Sequence, residues 1–444
     1  MRAISSAPDD DTKPVRASYG FWAGGGVVTL ALLTFGLIRP GDGTATFFVL
    51  LALAALGYFA ALCLFANGFR PSGSALIVCA ALALAWRVPM LLAPPEPSAD
   101  VRRYVWDARL VRAGLSPYTV IPADPAFAHL RTDESWPVNN ADVPSPYPPG
   151  AQLFFLAATE LRESTRAIKL AALVCDALLA LVVWRWLVAA GANPGWVLAY
   201  LWSPLVSLEV ARHGHVDVVG ALCLASAAYA LARGRKLLGS IAFALSVAVK
   251  PLPIVLVPLL WRRVPRRHLV AGATVLLALY LPFVRGGSLP IGSVPDVVGR
   301  FRFNGPIFTA VASHAGPAAA TAFAVAVGLA VAAWVRRRLS FGSPEAWAWP
   351  MAAALVCAPL VYPWYLLWLA PFLVTLETVP LTIWTVSILS TYVVWQLTGV
   401  RWAVPPWTLL LEYGALLGAA LWLWRRNHLG RGAELSSSPL TSEP

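Results

Sequence analysis

The sequence predicts an all-α fold: a polytopic transmembrane helical bundle of about twelve spans plus a re-entrant hairpin, with a long first outer loop carrying surface helices. Three observations point there. Of the 444 residues, 58% are hydrophobic and only 13% are charged. The apolar residues are gathered in runs of about 20, the length that crosses a hydrocarbon core of about 30 Å. The cations stand in short clusters between those runs: Arg233-Gly234-Arg235-Lys236, Arg262-Arg263-Val264-Pro265-Arg266-Arg267, Arg336-Arg337-Arg338 and Arg425-Arg426. That distribution orients a chain in a bilayer by the positive-inside rule. It also accounts for the net charge of +12 without nucleic acid, so the bilayer is the expected partner.

Residues 1–20 are polar and read as a cytoplasmic tail, followed by a retained anchor rather than a removable signal. The first three spans fall near 22–37, 46–67 and 74–93. With the N-terminus inside, Arg70 is inside and the segment that follows, 94–166, is outside. Loops of that length are usually functional. Within it, Val101, Tyr104, Val105 and Ala108 recur at i, i+3, i+4 and i+7, which predicts a surface helix from Asp100 to Ala113 ending at Gly114. Asp100, Arg103 and Asp107 share one face of it. Eight prolines stiffen the remainder, and a second short helix is expected near Pro149 or Gly150.

Further spans are expected at 167–187, 196–210 and 218–231. The run 237–261 poses a conflict, because a full crossing would carry Arg262–Arg267 outside. A break at Lys250-Pro251-Leu252-Pro253 resolves it as a re-entrant hairpin whose turn faces the bundle interior, where irregular backbone is tolerable. The remaining spans then run 269–284, 306–335, 346–360, 366–376, 380–397 and 407–424. The transmembrane domain is thus 21–425, and 426–444 is a Ser-rich, disordered cytoplasmic tail. The five cysteines lie singly in apolar runs, without metal or disulfide spacing.

Chemistry-bearing groups concentrate in the outer loop. Asp100 reads either as a helix N-cap or as a carboxylate placed to take a proton at the interface. Arg87, inside the third span, costs about 3 kcal/mol unless it snorkels or pairs, with Asp100 or a lipid phosphate as its partners. Lys250, if buried in a hairpin, needs an anion. Arg300 and Arg302, with Asn304, are headgroup-facing charges or phosphate ligands. His213, His215 and Asp217 do not share one helical face, so no metal is expected and polar contacts to sugar hydroxyls are preferred. Tyr104, Trp106, Tyr118, Trp136 and Tyr147 suit an interfacial belt, or stacking on sugar rings or an isoprenoid chain.

Asp100-x-x-Arg103-Tyr104-x-Trp106-Asp107, followed by Gly114-x-Ser116-Pro117-Tyr118 and Tyr147-Pro148-Pro149-x-x-Gln152, resembles the first outer loop of GT-C superfamily integral-membrane glycosyltransferases. It is similar to bacterial polyprenyl-phosphate-mannose-dependent mannosyltransferases and, more distantly, to the catalytic subunit of the eukaryotic GPI first mannosyltransferase. His213-Gly214-His215-Val216-Asp217, Lys250-Pro251, Phe303-Asn304-Gly305 and Pro363-Trp364-Tyr365 follow in the expected order. The family often has Gly where this chain has Ala108, and the last spans carry no transferable motif.

The resemblance implies a hexosyltransferase of the plasma (inner) membrane with its site on the periplasmic or extracellular side. A polyprenyl-phosphate sugar donor, commonly mannose, would be used with inversion on a glycolipid or glycan acceptor hydroxyl. Asp100 would be the general base, with Asp107, Arg103 and Tyr104 on the acceptor side. Lys250, Arg302 and Arg87 would hold the donor phosphate, and Tyr118, Tyr147, Gln152, His213, His215, Asp217 and Asn304 would touch sugar or acceptor. No cofactor is expected, and no Gly-rich nucleotide loop is present. The rival classes are a transporter or lipid flippase for glycolipid precursors, which would place charges and broken helices symmetrically within two halves, and a non-catalytic partner in polysaccharide assembly.

Overall fold

The computed structural model describes residues 12–38, 43–96, 98–284, 289–396 and 403–436, with the side chains of 12–15, 396 and 429–436 left aside. Among the described residues the chain is helical, with no strand beyond one isolated bridge between Phe303 and Leu360. The first helices are α1 (Thr12–Leu37), α2 (Thr44–Ala66) and α3 (Gly73–Leu92). The outer segment carries α4 (Asp100–Arg112) and α5 (Pro149–Ala158). The bundle continues with α6 (Thr165–Ala189), α7 (Asp217–Ala232), α8 (Lys236–Val249) and α9 (Arg266–Tyr280). It closes with α10 (Pro306–Arg336), α11 (Glu345–Val356), α12 (Val379–Ser387) and α13 (Pro406–Ser436).

Seven helical stretches among the described residues are long and apolar enough to cross a bilayer: 16–37, 44–66, 73–92, 165–189, 306–336, 376–395 and 406–428. The remaining apolar runs are broken, and proline is the reason. The span expected at 196–210 falls in a stretch, 194–212, that Pro194 and Pro204 divide into a 3-10 turn, two short helical pieces and a π-helical turn, Ser207–Arg212. The span expected at 366–376 is likewise interrupted, because residues 363–372 form 3-10 turns started by Pro363 and continued at Pro371. Both segments are buried inside the protein, where other backbone and side chains can satisfy polar groups that lipid could not. At the ends, α1 begins earlier and α13 runs later than the expected tails allow. Residues 1–11 and 437–444 lie outside the described set.

The 237–261 run is a hairpin. Its outgoing limb, α8, has 14 residues, about 21 Å of rise and too short for a bilayer. Its return limb is a 3-10 turn, Leu252–Leu256, then a single helical turn, Val257–Leu260. Both limbs end at one ring: the Lys236 ammonium lies 4.7 Å and the Arg263 guanidinium 5.5 Å from the centroid of Phe341. Arg336 donates to the Trp261 carbonyl at 2.5 Å, and Arg263 donates to the Arg336 carbonyl. Three of the basic clusters therefore gather at one end of the bundle. The Lys250 tip stands at the other, beside Asp217 at the start of α7.

The outer segment is a folded layer, with a small core of Trp106, Leu110, Val120 and Val138. Helix α4 is sandwiched between it and the bundle rather than lying open on a surface. Val101, Tyr104, Val105 and Ala108 are at most 1% exposed and join the main core. The layer docks on the hairpin through Gly150, where a Cβ would come within 2.7 Å of the Ala248 carbonyl oxygen.

Within lipid, helices gain little from hydrophobic burial, and close packing of small residues replaces it. Gly24 and Gly57 let α1 and α2 touch backbone to backbone, and a Cβ on Gly57 would meet the Gly24 carbonyl at 2.6 Å. The bundle also contains a buried ion pair. Arg87 Nε donates to Asp176 Oδ2 at 2.7 Å, Tyr200 donates to Asp176 Oδ1 at 2.6 Å, and Arg87 donates to the carbonyls of Ala83 and Leu201. Arg87 thus belongs to the α3–α6 contact. The expectation that it meets Asp100 or a lipid phosphate is corrected, because an arginine so deep in protein is neutralised by the nearest buried carboxylate.

Replacing Arg87 with Ala strands Asp176, so Arg87→Ala should destabilise the detergent-solubilised protein by about 3–5 kcal/mol, while Arg87→Met with Asp176→Leu should recover most of the loss. Thermal unfolding of the three proteins measures both.

Candidate active site

Asp107 is the centre of the outer layer. Its Oδ1 accepts from Arg103 Nε at 3.2 Å. Its Oδ2 accepts from Ser145 Oγ and from Gln152 Nε2, the latter at 3.0 Å. Arg103 extends the clamp by donating to the carbonyls of Asn140 and Val143, at 3.2 and 2.9 Å. Tyr118 donates to the Tyr147 carbonyl at 2.9 Å. Asp107, Arg103 and Gln152 are buried. Expected at the acceptor or sugar, they are instead consumed in holding the 139–152 strand of chain against α4. Burial raises the Asp107 carboxyl above its ordinary value, and Arg103, Ser145 and Gln152 draw it back down.

This clamp sets Asp100. Asp100 opens α4, but the N-cap position is Ala99 and no side chain caps the helix. The clamped strand instead brings Asn139 Nδ2 to Asp100 Oδ1 at 2.7 Å. Asp100 is half-buried. Burial raises its carboxyl above the ordinary 3.8; the Asn139 hydrogen bond and the charge of Lys250 oppose that, Asp217 adds to it, and Arg103 again opposes. The charge of Asp100 also reaches Tyr104, Tyr147, Tyr362, Tyr365, Tyr392 and His213. Of these, Tyr147, Tyr362 and Tyr365 are half-buried like Asp100 itself, so they outline the approach to it.

Opposite stands the hairpin tip. Lys250 Nζ donates to Asp217 Oδ1 at 2.6 Å and sits 3.9 Å from the centroid of Tyr365. Trp368 Nε1 donates to the same Asp217 oxygen at 2.7 Å. An ammonium has three donors, and the half-buried Lys250 keeps some for a ligand. Asp217 is 1% exposed and committed to these partners rather than to a sugar. One wall is a stack of four rings: Phe303 on Tyr362 at 4.5 Å, Tyr362 on Trp364 at 4.4 Å, and Trp364 on His215 at 4.2 Å between centroids.

Other expected residues lie elsewhere. Arg302 folds back on its own segment, donating to the carbonyls of Val298, Gly299 and Phe301 and covering Phe308. Arg300 is exposed and pairs with Asp296. Asn304 is buried with Glu412 of α13, whose carboxylate accepts from its Nδ2 at 2.9 Å and from Trp384 Nε1 at 2.6 Å. His213 and His215 are fully buried and gather on Glu209, not on Asp217. Asn139, Glu209, Tyr392 and Glu412 are the residues that sequence reasoning did not single out. Only Glu209 had a local signal, its i, i+4 spacing to His213.

A half-buried carboxylate at the start of α4, a lysine at a hairpin tip and an aromatic wall are set on an all-α bundle with several spans apolar and long enough to cross a membrane. The model of the MptA_B family, described as alpha-(1->6)-mannopyranosyltransferase, N-terminal domain, matches residues 18–264, more than half of the chain. The chain belongs to this family of mannosyltransferases. No curated protein matches it. The matched range contains Asp100, Asp107, Gln152, Asp217 and Lys250 and ends before Arg302 and Asn304.

Asp107→Ala should loosen the clamp without unfolding the bundle, lowering the local stability of the 138–147 stretch by about 1.5–3 kcal/mol, the worth of charge-assisted hydrogen bonds. Amide hydrogen exchange, compared across that stretch and the spans, measures the difference.

Proposed function

We propose that this mannosyltransferase takes mannose from a polyprenyl-phosphate donor and passes it, with inversion, to a hydroxyl of a lipid or glycan acceptor on the outer face of the plasma membrane. Asp100 acts as the general base. The acceptor oxygen forms a bond to the anomeric carbon, the bond from that carbon to phosphate breaks, and the acceptor proton passes to Asp100. The product linkage we assign is α-(1→6), the linkage in the family's description.

One observation carries the reading. Among the described residues of the site, Asp100 is the carboxylate left with a single hydrogen bond, from Asn139, and no ion pair, whereas Asp107 and Asp217 are buried and each ion-paired. Burial raises the Asp100 carboxyl, and a raised carboxylate is a stronger base, which suits proton abstraction. The burial and ion pairing of Asp107 and Asp217 disfavour either as a nucleophile, which supports a single displacement. Lys250 is the group we assign to the departing phosphate, where a fixed cation offsets developing charge. Arg302 takes a lesser part because three of its N–H donors go to carbonyls of its own segment. The outer-face reading rests on the basic clusters, which lie at the end of the bundle opposite Asp100 and mark a cytoplasmic side. An apolar cleft of about 170 Å³, lined in part by Val111, Leu153, Leu156 and Phe283, adjoins Tyr118 and suits an isoprenoid or acyl chain.

The test uses purified protein, labelled polyprenyl-phosphate mannose and a membrane lipid extract. Asp100→Asn should lose about 10²–10⁴-fold in transfer with unchanged thermal unfolding; transfer by a folded Asp100→Asn protein at the wild-type rate would remove Asp100 from the base role. In wild type the acid limb of kcat/KM should lie above the ordinary aspartate range of about 4. Asn139→Ala removes a hydrogen bond that lowers the Asp100 value, so its acid limb should move to higher pH. Lys250→Ala should lower kcat/KM at limiting donor, and an unaltered donor dependence would exclude Lys250 from phosphate binding.

A further inference from the structure

The chain from Ser207 to Asp217 folds in a way that neither the clamp nor the proton transfer uses. The π-helical turn Ser207–Arg212 leads into Gly214, whose φ of 74° reverses the chain, and the His215 amide returns to the Glu209 carbonyl at 3.0 Å. Single π turns recur at functional sites. Three side chains converge as a result: Glu209, His213 and His215, each 0% exposed, with one ligand atom apiece all within 4.8 Å of one another.

We propose that Glu209, His213 and His215 bind a divalent transition metal of the zinc class. Glu209 Oε2 lies 3.1 Å from His213 Nδ1 and 3.3 Å from His215 Nε2. Ligands held tetrahedrally at about 2.0–2.1 Å from zinc are separated by about 3.3 Å. His215 forms no hydrogen bond through either ring nitrogen although it is fully buried. Its Nε2 therefore faces the carboxylate at contact distance without bonding to it, as two ligands of one ion do. A buried imidazole without a partner is otherwise costly.

The surroundings hold the ligands in place, as second-layer groups do in metal sites. Tyr392 donates to Glu209 Oε1 at 2.7 Å, which turns Oε2 toward His213 Nδ1 and His215 Nε2. Trp364 stacks on His215 with an interplanar angle of 10° and fixes the ring. Two imidazoles and one carboxylate suit zinc better than magnesium or calcium, which take oxygen sets. Three protein ligands leave a fourth position for water or a substrate oxygen.

Tag-free protein purified in detergent, stripped with chelator and reconstituted with zinc, is analysed for metal by mass spectrometry. About one equivalent per chain is expected, with X-ray absorption showing nitrogen and oxygen ligands at about 2.0 Å. Glu209→Gln and His215→Gln should each lose at least tenfold in occupancy, while Tyr392→Phe retains the metal. If either ligand variant elutes aggregated, the wild type decides: zinc but not magnesium should raise its unfolding temperature, reversibly with chelator, by mass action on the folded state. Wild type that stays metal-free and unshifted, or folded ligand variants that bind as much zinc as wild type, would overturn the site and leave a hydrogen-bonded Glu–His–Tyr cluster.

Discussion

The contact on which the rest depends is the buried pairing of Arg103 and Asp107 on α4. Two charges one helical turn apart are cheap to place and expensive to bury, and they are buried here. The cost is offset because each completes its hydrogen bonding on the chain that crosses above: Asp107 with Ser145 and Gln152, Arg103 with the carbonyls of Asn140 and Val143. A stretch crowded with prolines, unable to form its own regular hydrogen bonds, is thereby given a fixed path. That path places Asn139 on Asp100 and Tyr147 at the approach to it. Asp100 stays half-buried with one hydrogen bond, from Asn139, while its neighbour on the same helix face has taken up the remaining contacts.

The second constraint is the hairpin. A full crossing from Lys236 would have carried Lys250 to an ordinary interface. Folding back on itself sends both cationic ends to Phe341 and leaves the tip pressed against Asp217, Tyr365 and Trp368. The irregular turns 194–212 and 363–378 are of the same kind: non-helical backbone deep in the bundle, tolerated because protein surrounds it. The second meets the loop that follows the first at the aromatic wall, where Trp364 stacks on His215. Broken helices thus supply the aromatic wall and the lysine tip of the site.

Several elements were legible in the residues. The face Val101, Tyr104, Val105, Ala108 is buried as its spacing implied. The break at Lys250-Pro251 and the helix opening at Pro149 are where proline placed them. The family resemblance carried by the loop motifs agrees with the family match over 18–264. Other readings failed for identifiable reasons. Hydropathy counts apolar residues but cannot tell a lipid-facing span from a buried coil, so 196–210 and 366–376 read as crossings. Arg87 was assigned by proximity in sequence to Asp100, while its partner, Asp176, lies 89 residues away. Asp107, Gln152 Nε2 and the Tyr118 hydroxyl bear the right chemistry for substrate contact, yet each is engaged within the protein.

Composition and periodicity were enough to specify a helical membrane protein, its basic end, its polar layer and the helix that bears Asp100, because those properties are local sums over a turn or a span. Which charge meets which is a long-range matter. Asp100 with Asn139, Asp217 with Lys250, Glu209 with His215 and Tyr392, and Asn304 with Glu412 are joined by packing and close approach of distant segments. A buried ionisable group takes the nearest partner in space, and that partner becomes known when the helices have found their neighbours.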